Sequence, residues 1–374
     1  MNLTLLIPTK NRPFFLAKTL RYYAEKKAGF LIRIGDASDH AYLEQNRALV
    51  KKYESVLRIR YSEQDPSTIT TEGTNQLLRE TDTPYCVWAG DDDFIVPETA
   101  LACVDFLEKN SDYATAGGAT AWLYAEAGKN NALRPQFLRA GPAVALEQSD
   151  AEKRVVTYAN PAPRINTFFV QRTDTMRFTW ATATKLGLCR TRYHLPLHEV
   201  SVNVVGLIRG KQFVFPRLFH VMVRHSQKNH ASQGHADSFE RFLQWDWGVE
   251  VRGMLDWWAQ ELMKATGHDR DRSYSIAVCL FLFTIDKFVT IHREQRLDSF
   301  GLLPQKPLHK QPLSALLGKV PGVKKIWKKK IGEDHFTLER FLSPASSFHA
   351  DFAPIYKSIV AEESAPAISL AIHG

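Results

Sequence analysis

Three consecutive carboxylates, Asp91-Asp92-Asp93, follow the short apolar run Tyr85-Cys86-Val87-Trp88 and precede Phe94-Ile95-Val96-Pro97. Three adjacent negative charges repel one another, so a chain carries them at a strand end chiefly where a cation neutralises them. Hard divalent ions such as Mg2+ or Mn2+ take oxygen ligands of this kind, and the chemistry this suggests is the holding of a diphosphate. An isolated Asp-Asp-Asp can equally be an exposed acidic loop. The setting favours a site: Pro97 suits the first position of a helix through Glu108, so the acidic turn links a buried strand to a helix. It falls at the carboxyl edge of a sheet, where open α/β sheets bind their ligands.

A second set of polar residues falls on the same edge. The loop Pro8-Thr9-Lys10-Asn11-Arg12 follows a first strand and can offer backbone groups of Thr9 and the amide of Asn11 to a nucleobase, with Arg12 reaching phosphate. Asp36 ends a second strand and can accept the imide or amino proton of a pyrimidine. With Ser38 and Asp39 it can also simply cap the helix that follows.

The elements that must position these groups alternate. Short apolar runs near 3–7, 30–34, 56–60, 84–88 and 112–116 read as strands, and the segments 13–27, 41–53, 71–80 and 98–110 between them read as helices. This is the pattern of βαβ units around a mostly parallel sheet. Residues 119–164, rich in Ala, Gly and Pro, read as a loop over the sheet. Beyond them come a strand at 165–171, helices at 173–186 and 198–209, and two strands at 212–215 and 218–224. From 230 the character becomes helical, with helices expected at 239–265 and 274–293, so residues 1–229 are expected as one domain and 230–374 as a helical region.

Composition narrows the class. At 374 residues, 44% hydrophobic and 24% charged, the chain has the make-up of an ordinary globular protein rather than a disordered one. Its four cysteines, Cys86, Cys103, Cys189 and Cys279, show no metal-ligand or redox spacing, and reduced thiols in a cytoplasm are expected. The apolar start lacks the features of a signal peptide, and the longest apolar run, Ile276–Ile285, is too short to span a bilayer. The net charge of +8 suits an acidic partner, and no interleaved aromatic-basic motif points to nucleic acid.

Taken in order, Ile7-Pro8-Thr9-Lys10-Asn11-Arg12-Pro13, Ile34-Gly35-Asp36-Ala37-Ser38-Asp39, Gly73-Thr74-Asn75 and the acidic run resemble the GT-A fold glycosyltransferases, specifically family 2-like enzymes of bacterial surface-glycan assembly. The resemblance covers residues 3–97. It implies a Rossmann-like mixed sheet flanked by helices, and a nucleotide-binding set of Pro8, Thr9, Asn11, Arg12, Asp36, Ser38, Gly73, Asn75, Asp91 and Arg224. It also implies Mn2+ or Mg2+ at Asp92 and Asp93, with His225 as a third ligand or a phosphate contact, and Arg224 beside the leaving diphosphate. One departure stands out: many relatives carry an Asp two places before the last acidic pair, and if Pro97 fixes the register this chain has Gly90 there and Asp92 and Asp93 as the pair, whereas counting the run as Asp-x-Asp uses Asp91 and Asp93.

Leu197-His198-Glu199-Val200 resembles the family's acidic base motif, which makes Glu199 the expected catalytic base of an inverting transfer; its alternative is a first-turn glutamate facing a helix dipole. Asp174 and Glu152 are the competing carboxylates, Asp174 being readily explained as a helix cap. The implied partners are a nucleotide-sugar donor, expected to be a UDP-sugar, and a glycan or lipid-linked saccharide acceptor. The basic, apolar stretch at 319–331 fits a peripheral contact with the inner face of the cytoplasmic membrane or a solvated surface helix. Other readings of the same residues are a retaining transferase, a sugar nucleotidyltransferase and a carbohydrate- or membrane-binding module.

Overall fold

The computed structural model describes residues 2–127, 132–141, 144–160, 166–188, 195–225, 248–299 and 337–361. The amino-terminal half forms as its alternation predicts. β1 (Leu3–Thr9), α1 (Pro13–Glu25), β2 (Leu31–Asp36), α2 (His40–Tyr53), β3 (Arg58–Glu63), α3 (Thr70–Arg79) and β4 (Tyr85–Trp88) follow in order, and the strands pair in parallel as β3-β2-β1-β4. β2 and β4 are buried along their whole length, as strands covered on both faces must be.

The second half departs from expectation in three places. The acidic run does not end in a plain turn, because Asp93–Ile95 forms β5, which precedes α4 (Pro97–Lys109). The segment expected as a loop instead supplies most of a hairpin, β6 (Tyr113–Ala127) and β7 (Leu133–Gly141), and then α5 (Ala151–Ala159). Along β6 the small residues hide a period of two: Ala121, Leu123 and Ala125 are buried while Trp122 and Tyr124 keep partial exposure. After β8 (Val170–Arg172), α6 (Thr173–Lys185) and α7 (Leu195–Arg209), the two strands expected at the end are one, β9 (Lys211–His225). Pro216 is accommodated because the β6–β9 ladder shifts between Gly117 and Ala119, which pair with Val214 and Leu218. Gly118 has to be glycine there, since a Cβ would come within 2.6 Å of the Arg217 carbonyl oxygen.

The described strands make one nine-stranded sheet in the order β3-β2-β1-β4-β8-β6-β9-β5, with β7 on β6. β8 is antiparallel to both β4 and β6, β6 is parallel to β9, and β5 is antiparallel to β9. This returns the acidic turn, the end of β9 and α7 to one end of the sheet. The expected α/β mixed sheet flanked by helices is therefore present.

Helices α8 (Gly248–Thr266) and α9 (Arg270–Ser299) share a core with α5 and α7 through Trp257, Trp258, Leu262, Val204 and Ile208. The short α10 (Leu338–Leu342) and α11 (His349–Val360) bring Phe341, Phe352, Ile355 and Ile359 into the core formed by the sheet and α1. Buried Lys18 of α1 donates to the Ala361 carbonyl, and Ser358 donates to the Lys18 carbonyl at 2.7 Å, which ties the chain's far end to the helix behind the acidic turn. No described helix is long and apolar enough to cross a membrane. Residues 319–331, Cys189 and the first part of the helix expected at 239–265 lie outside the described residues.

Candidate active site

The acidic run is an interior feature. Asp91, Asp92 and Asp93 are 2%, 9% and 6% exposed, which rules out the solvated loop. Their counter-charge comes from the turn after β1, where Asn11 adopts a positive φ of 57° and Pro13 opens α1. That turn aims Arg12 inward: its Nη1 pairs with Asp91 Oδ1 at 2.7 Å and its Nη2 with Asp92 Oδ2, while the guanidinium lies 4.3 Å from the centre of the Phe15 ring. Burial alone would weaken the guanidinium's charge, but Asp91 and Asp92 hold it protonated.

Two carboxylates therefore share one guanidinium, and they diverge. Burial pushes Asp91 up, and the neighbouring Asp92 adds to that against the pull of Arg12. Burial acts on Asp92 as well, but Arg12 and His225 outweigh it and hold it down. Asp91 Oδ2 accepts from Thr9 Oγ1 at 2.7 Å, and Thr19 of α1 donates to the Asp91 carbonyl at 2.6 Å. His225, stacked on Phe15, places Nε2 2.9 Å from Asp92 Oδ2 and 3.0 Å from Arg12 Nη2. One nitrogen cannot both donate to the carboxylate and accept from the guanidinium, and the other ring nitrogen, buried Nδ1, has no partner. The arrangement is thus under-satisfied in its hydrogen bonding.

The corner at Asp36 is the opposite. Asp36 is fully buried; its Oδ1 accepts from Ser38 N at 2.9 Å and its Oδ2 from Asn46 Nδ2 and Tyr61 Oη, both at 2.7 Å. Asn11 N in turn donates to Ser38 Oγ at 2.7 Å, and the Asn11 side chain exchanges hydrogen bonds with Asp39 at 2.7 and 2.8 Å. Asp36 and Ser38 here lock two loops together, and Asp39, the residue before α2, makes no side-chain cap of that helix. Pro8 pairs with Gly35 and Thr9 with Asp36 at the strand ends, so the backbone of this corner sits beside the acidic turn.

Gly73 and Asn75 lie on α3. The Gln64 side chain wedges against Gly73, where a Cβ would meet Oε1 at 2.4 Å, and donates to the Gly73 carbonyl at 3.0 Å. Asn75 is buried and its Oδ1 has no partner.

Glu199, in the first part of α7, faces Arg224 and Asp93. Burial pushes its carboxyl up to about 7, Asp93 adds to the shift and Arg224 opposes it. A group at that value changes charge near neutral pH, which suits a general base. Its neighbour His198 is fully buried against Trp180, has no partner at either ring nitrogen, and is driven down to about 3 by burial, so it stays neutral. The competitors are occupied elsewhere: Asp174 pairs with Arg177 at 2.6 Å, and Glu152 with His268 and Arg272 at 2.8 and 2.9 Å.

The structure thus gathers Thr9, Arg12, Asp91, Asp92 and His225 by direct contact, with Asp93, Arg224 and Glu199 beside them. Sequence reasoning missed Asn46, Tyr61, Thr19 and Phe15. It also missed His220, fully buried on β9 with Nε2 3.8 Å from Asp93 Oδ1.

Among the described residues no group of three or more His, Cys, Asp or Glu side chains is arranged to hold a metal ion. The donor chemistry nevertheless fits a hard divalent cation, because two of the three buried carboxylates, Asp91 and Asp92, share a single guanidinium and Asp93 has no cationic arginine or lysine paired with it among the described contacts. Gly90 adds room: a Cβ there would lie 2.9 Å from Asp92 Oδ1 and 3.1 Å from Asp93 Oδ2, so two carboxylate oxygens flank a space kept open by the absent side chain.

No protein-family model matches the chain, and no curated protein matches it. Among solved structures it is similar to S. aureus TarS 1-349 in complex with UDP-GlcNAc, at 15% identity over 96% of this chain and 89% of that one, with a TM-score of 0.48. It spans 55% of a longer S. aureus TarS chain at 13% identity and a TM-score of 0.39. A further likeness is to the mannosyltransferase PcManGT from Pyrobaculum calidifontis in complex with GDP-Man and Mn2+, at 9% identity over 97% of this chain and 88% of that one, with a TM-score of 0.39. At these values the assignment of an activity has to come from the residues of the site itself.

Proposed function

We propose that this chain is a glycosyltransferase of the GT-A type that moves a sugar from a nucleoside-diphosphate sugar, preferably a UDP-sugar, to a saccharide hydroxyl with inversion. The observation that carries the reading is the buried trio Asp91-Asp92-Asp93 with one guanidinium, next to a glutamate held near neutrality. A structural cluster would be satisfied within itself, as Asp36 is; this one is short of positive charge.

The nucleotide belongs along the Pro8–Arg12 turn and the carboxyl ends of β1 and β2, with Asp36 and Ser38 fixing that turn and Gly73, Asn75 and Asp91 bordering it. Asp92 and Asp93 are the residues to hold Mn2+ or Mg2+, with His225 as the third. When bound, the ion supplies neutralising charge to the diphosphate as it departs. Arg224, exposed at the end of β9, offers its guanidinium to the same developing charge. Glu199 accepts the proton of the acceptor hydroxyl as that oxygen bonds to the anomeric carbon. The bond from that carbon to the diphosphate oxygen breaks, and the diphosphate leaves with the electron pair. The acceptor class is a surface-glycan or lipid-linked saccharide, and residues 319–331 supply the membrane-side contact in that picture.

The test is thermal denaturation with UDP. UDP together with Mn2+ should raise the melting temperature by several degrees, EDTA should remove most of that gain, and AMP should give none. A UDP effect identical with and without metal, or no effect at all, contradicts the reading.

A further inference from the structure

His220 is a buried side chain that the proposed chemistry leaves unused. β5 runs antiparallel to β9 with Asp93 opposite Met222 and Ile95 opposite His220, so Asp93 and His220 are diagonal neighbours across the two strands. His220 is 0% exposed, and neither of its ring nitrogens has a partner. Its orientation is fixed by a stacked series: the ring lies on Phe168 with centroids 4.4 Å apart, and Phe168 lies on Trp88 at 5.0 Å. Trp88 is itself held, its Nε1 donating to Thr74 Oγ1 at 3.1 Å. The series leaves His220 Nε2 3.8 Å from Asp93 Oδ1, just beyond hydrogen-bond reach.

The two oxygens of Asp93 face different ways. Oδ2 accepts from Gly90 N at 3.3 Å and, together with Asp92 Oδ1, borders the space kept open at Gly90. On Asp92 the oxygen turned away from that space is held, since Oδ2 meets Arg12 and His225. On Asp93 the corresponding oxygen, Oδ1, faces His220. We infer that His220 is a positioning residue for the divalent cation: with the ion on Asp93, His220 Nε2–H donates to Asp93 Oδ1 and keeps Oδ2 turned toward the open space. The inference rests on the proposed metal site and goes beyond it, because it names the group behind a ligand rather than a ligand. A buried carboxylate that gives one oxygen to a cation needs its other oxygen satisfied, and such outer partners govern metal affinity. A closing movement of about 1 Å brings the pair to ordinary hydrogen-bond distance. Packing alone would be better served by phenylalanine, which stacks on Phe168 without burying two polar atoms that lack partners.

The experiment is a Mn2+ titration of the full chain at a fixed UDP concentration, with free Mn2+ read by electron paramagnetic resonance against a protein-free blank and metal-free melting recorded in parallel. His220→Phe keeps the stacked ring and removes the donor. It should melt no lower than the parent without metal, yet bind Mn2+ roughly 10- to 100-fold more weakly. His220→Gln, which places an amide donor near the position of Nε2, should recover most of that affinity. A crystal of the parent loaded with Mn2+ should show Nε2 within about 3.2 Å of Asp93 Oδ1. Mn2+ binding unchanged in His220→Phe overturns the inference and leaves the metal site standing. So does an affinity lost equally in the Phe and Gln variants, or a loaded crystal with Asp93 Oδ1 turned away from His220. A parent protein that takes up no Mn2+ beyond the blank overturns the metal site and the inference together.

Discussion

Asp36 and the run Asp91–Asp93 stand two strands apart on the same edge of the sheet, buried to nearly the same degree. Around Asp36 every oxygen has a donor: a backbone amide, an asparagine amide and a tyrosine hydroxyl. Around Asp91–Asp93, Asp91 and Asp92 share one guanidinium, a histidine nitrogen faces incompatible neighbours, and His220 and His225 leave ring nitrogens without partners. Burial alone therefore does not distinguish the two corners. The balance of donors does: the partners of Asp36 form a closed set that holds loops, and those of Asp91–Asp93 leave the open set on which the proposed function rests.

Mutations sharpen that contrast. The largest effect is expected at Glu199, where Glu199→Gln should lower turnover by about 10²–10⁴-fold, read as UDP release from a UDP-sugar with acceptor present, while UDP still raises the melting temperature. Turnover that survives places the base elsewhere. In the proposed reaction Glu199 has to be ionised to accept a proton, so the rate of the parent protein should fall about tenfold per unit as the pH drops below about 7 and level off above it.

Stability runs the other way with pH. A folded-state value above the ordinary 4.5 means that the folded protein binds more protons, so the contribution of Glu199 is complete below 4.5 and is lost as the pH rises through about 7. Glu199→Gln should therefore melt higher than the parent at pH 8 and no higher at pH 4; equal melting at both would refute the burial of its charge.

The two acidic corners should then respond with opposite signs. Asp36→Asn turns an amide toward donors it cannot accept from, and should cost about 1–3 kcal/mol in denaturant unfolding. Asp91→Asn removes a charge that burial already disfavours, and at pH 8 it should be at least as stable as the parent. The smallest effect is expected from Tyr61→Phe, which deletes one of three donors to Asp36, for about 1 kcal/mol. A loss at Asp91→Asn as large as at Asp36→Asn would erase the distinction.

How much of this the sequence discloses follows from how local each cause is. The βαβ half is readable because its strands are continuous apolar runs bounded by caps and prolines, and Pro97 sets the place of Asp91–Asp93. The closed state of Asp36 is not readable, because its partners arrive from Asn46 on α2 and from Tyr61 on β3, and nothing near residue 36 announces them. The hairpin of β6 and β7 was hidden for a different reason: alanine and glycine carry its buried face, so the alternation shows only through Trp122, Leu123 and Tyr124. β5 was obscured because Asp93 belongs at once to the acidic run and to a strand.

The most direct measurement is anomalous diffraction from crystals grown with Mn2+ and UDP. The account predicts a manganese peak bonded to carboxylate oxygens of Asp92 and Asp93, with the UDP diphosphate on the same ion and Arg12 moved off Asp92. Strong UDP density with no manganese beside those two aspartates, or an Arg12 still paired with both Asp91 and Asp92, contradicts it.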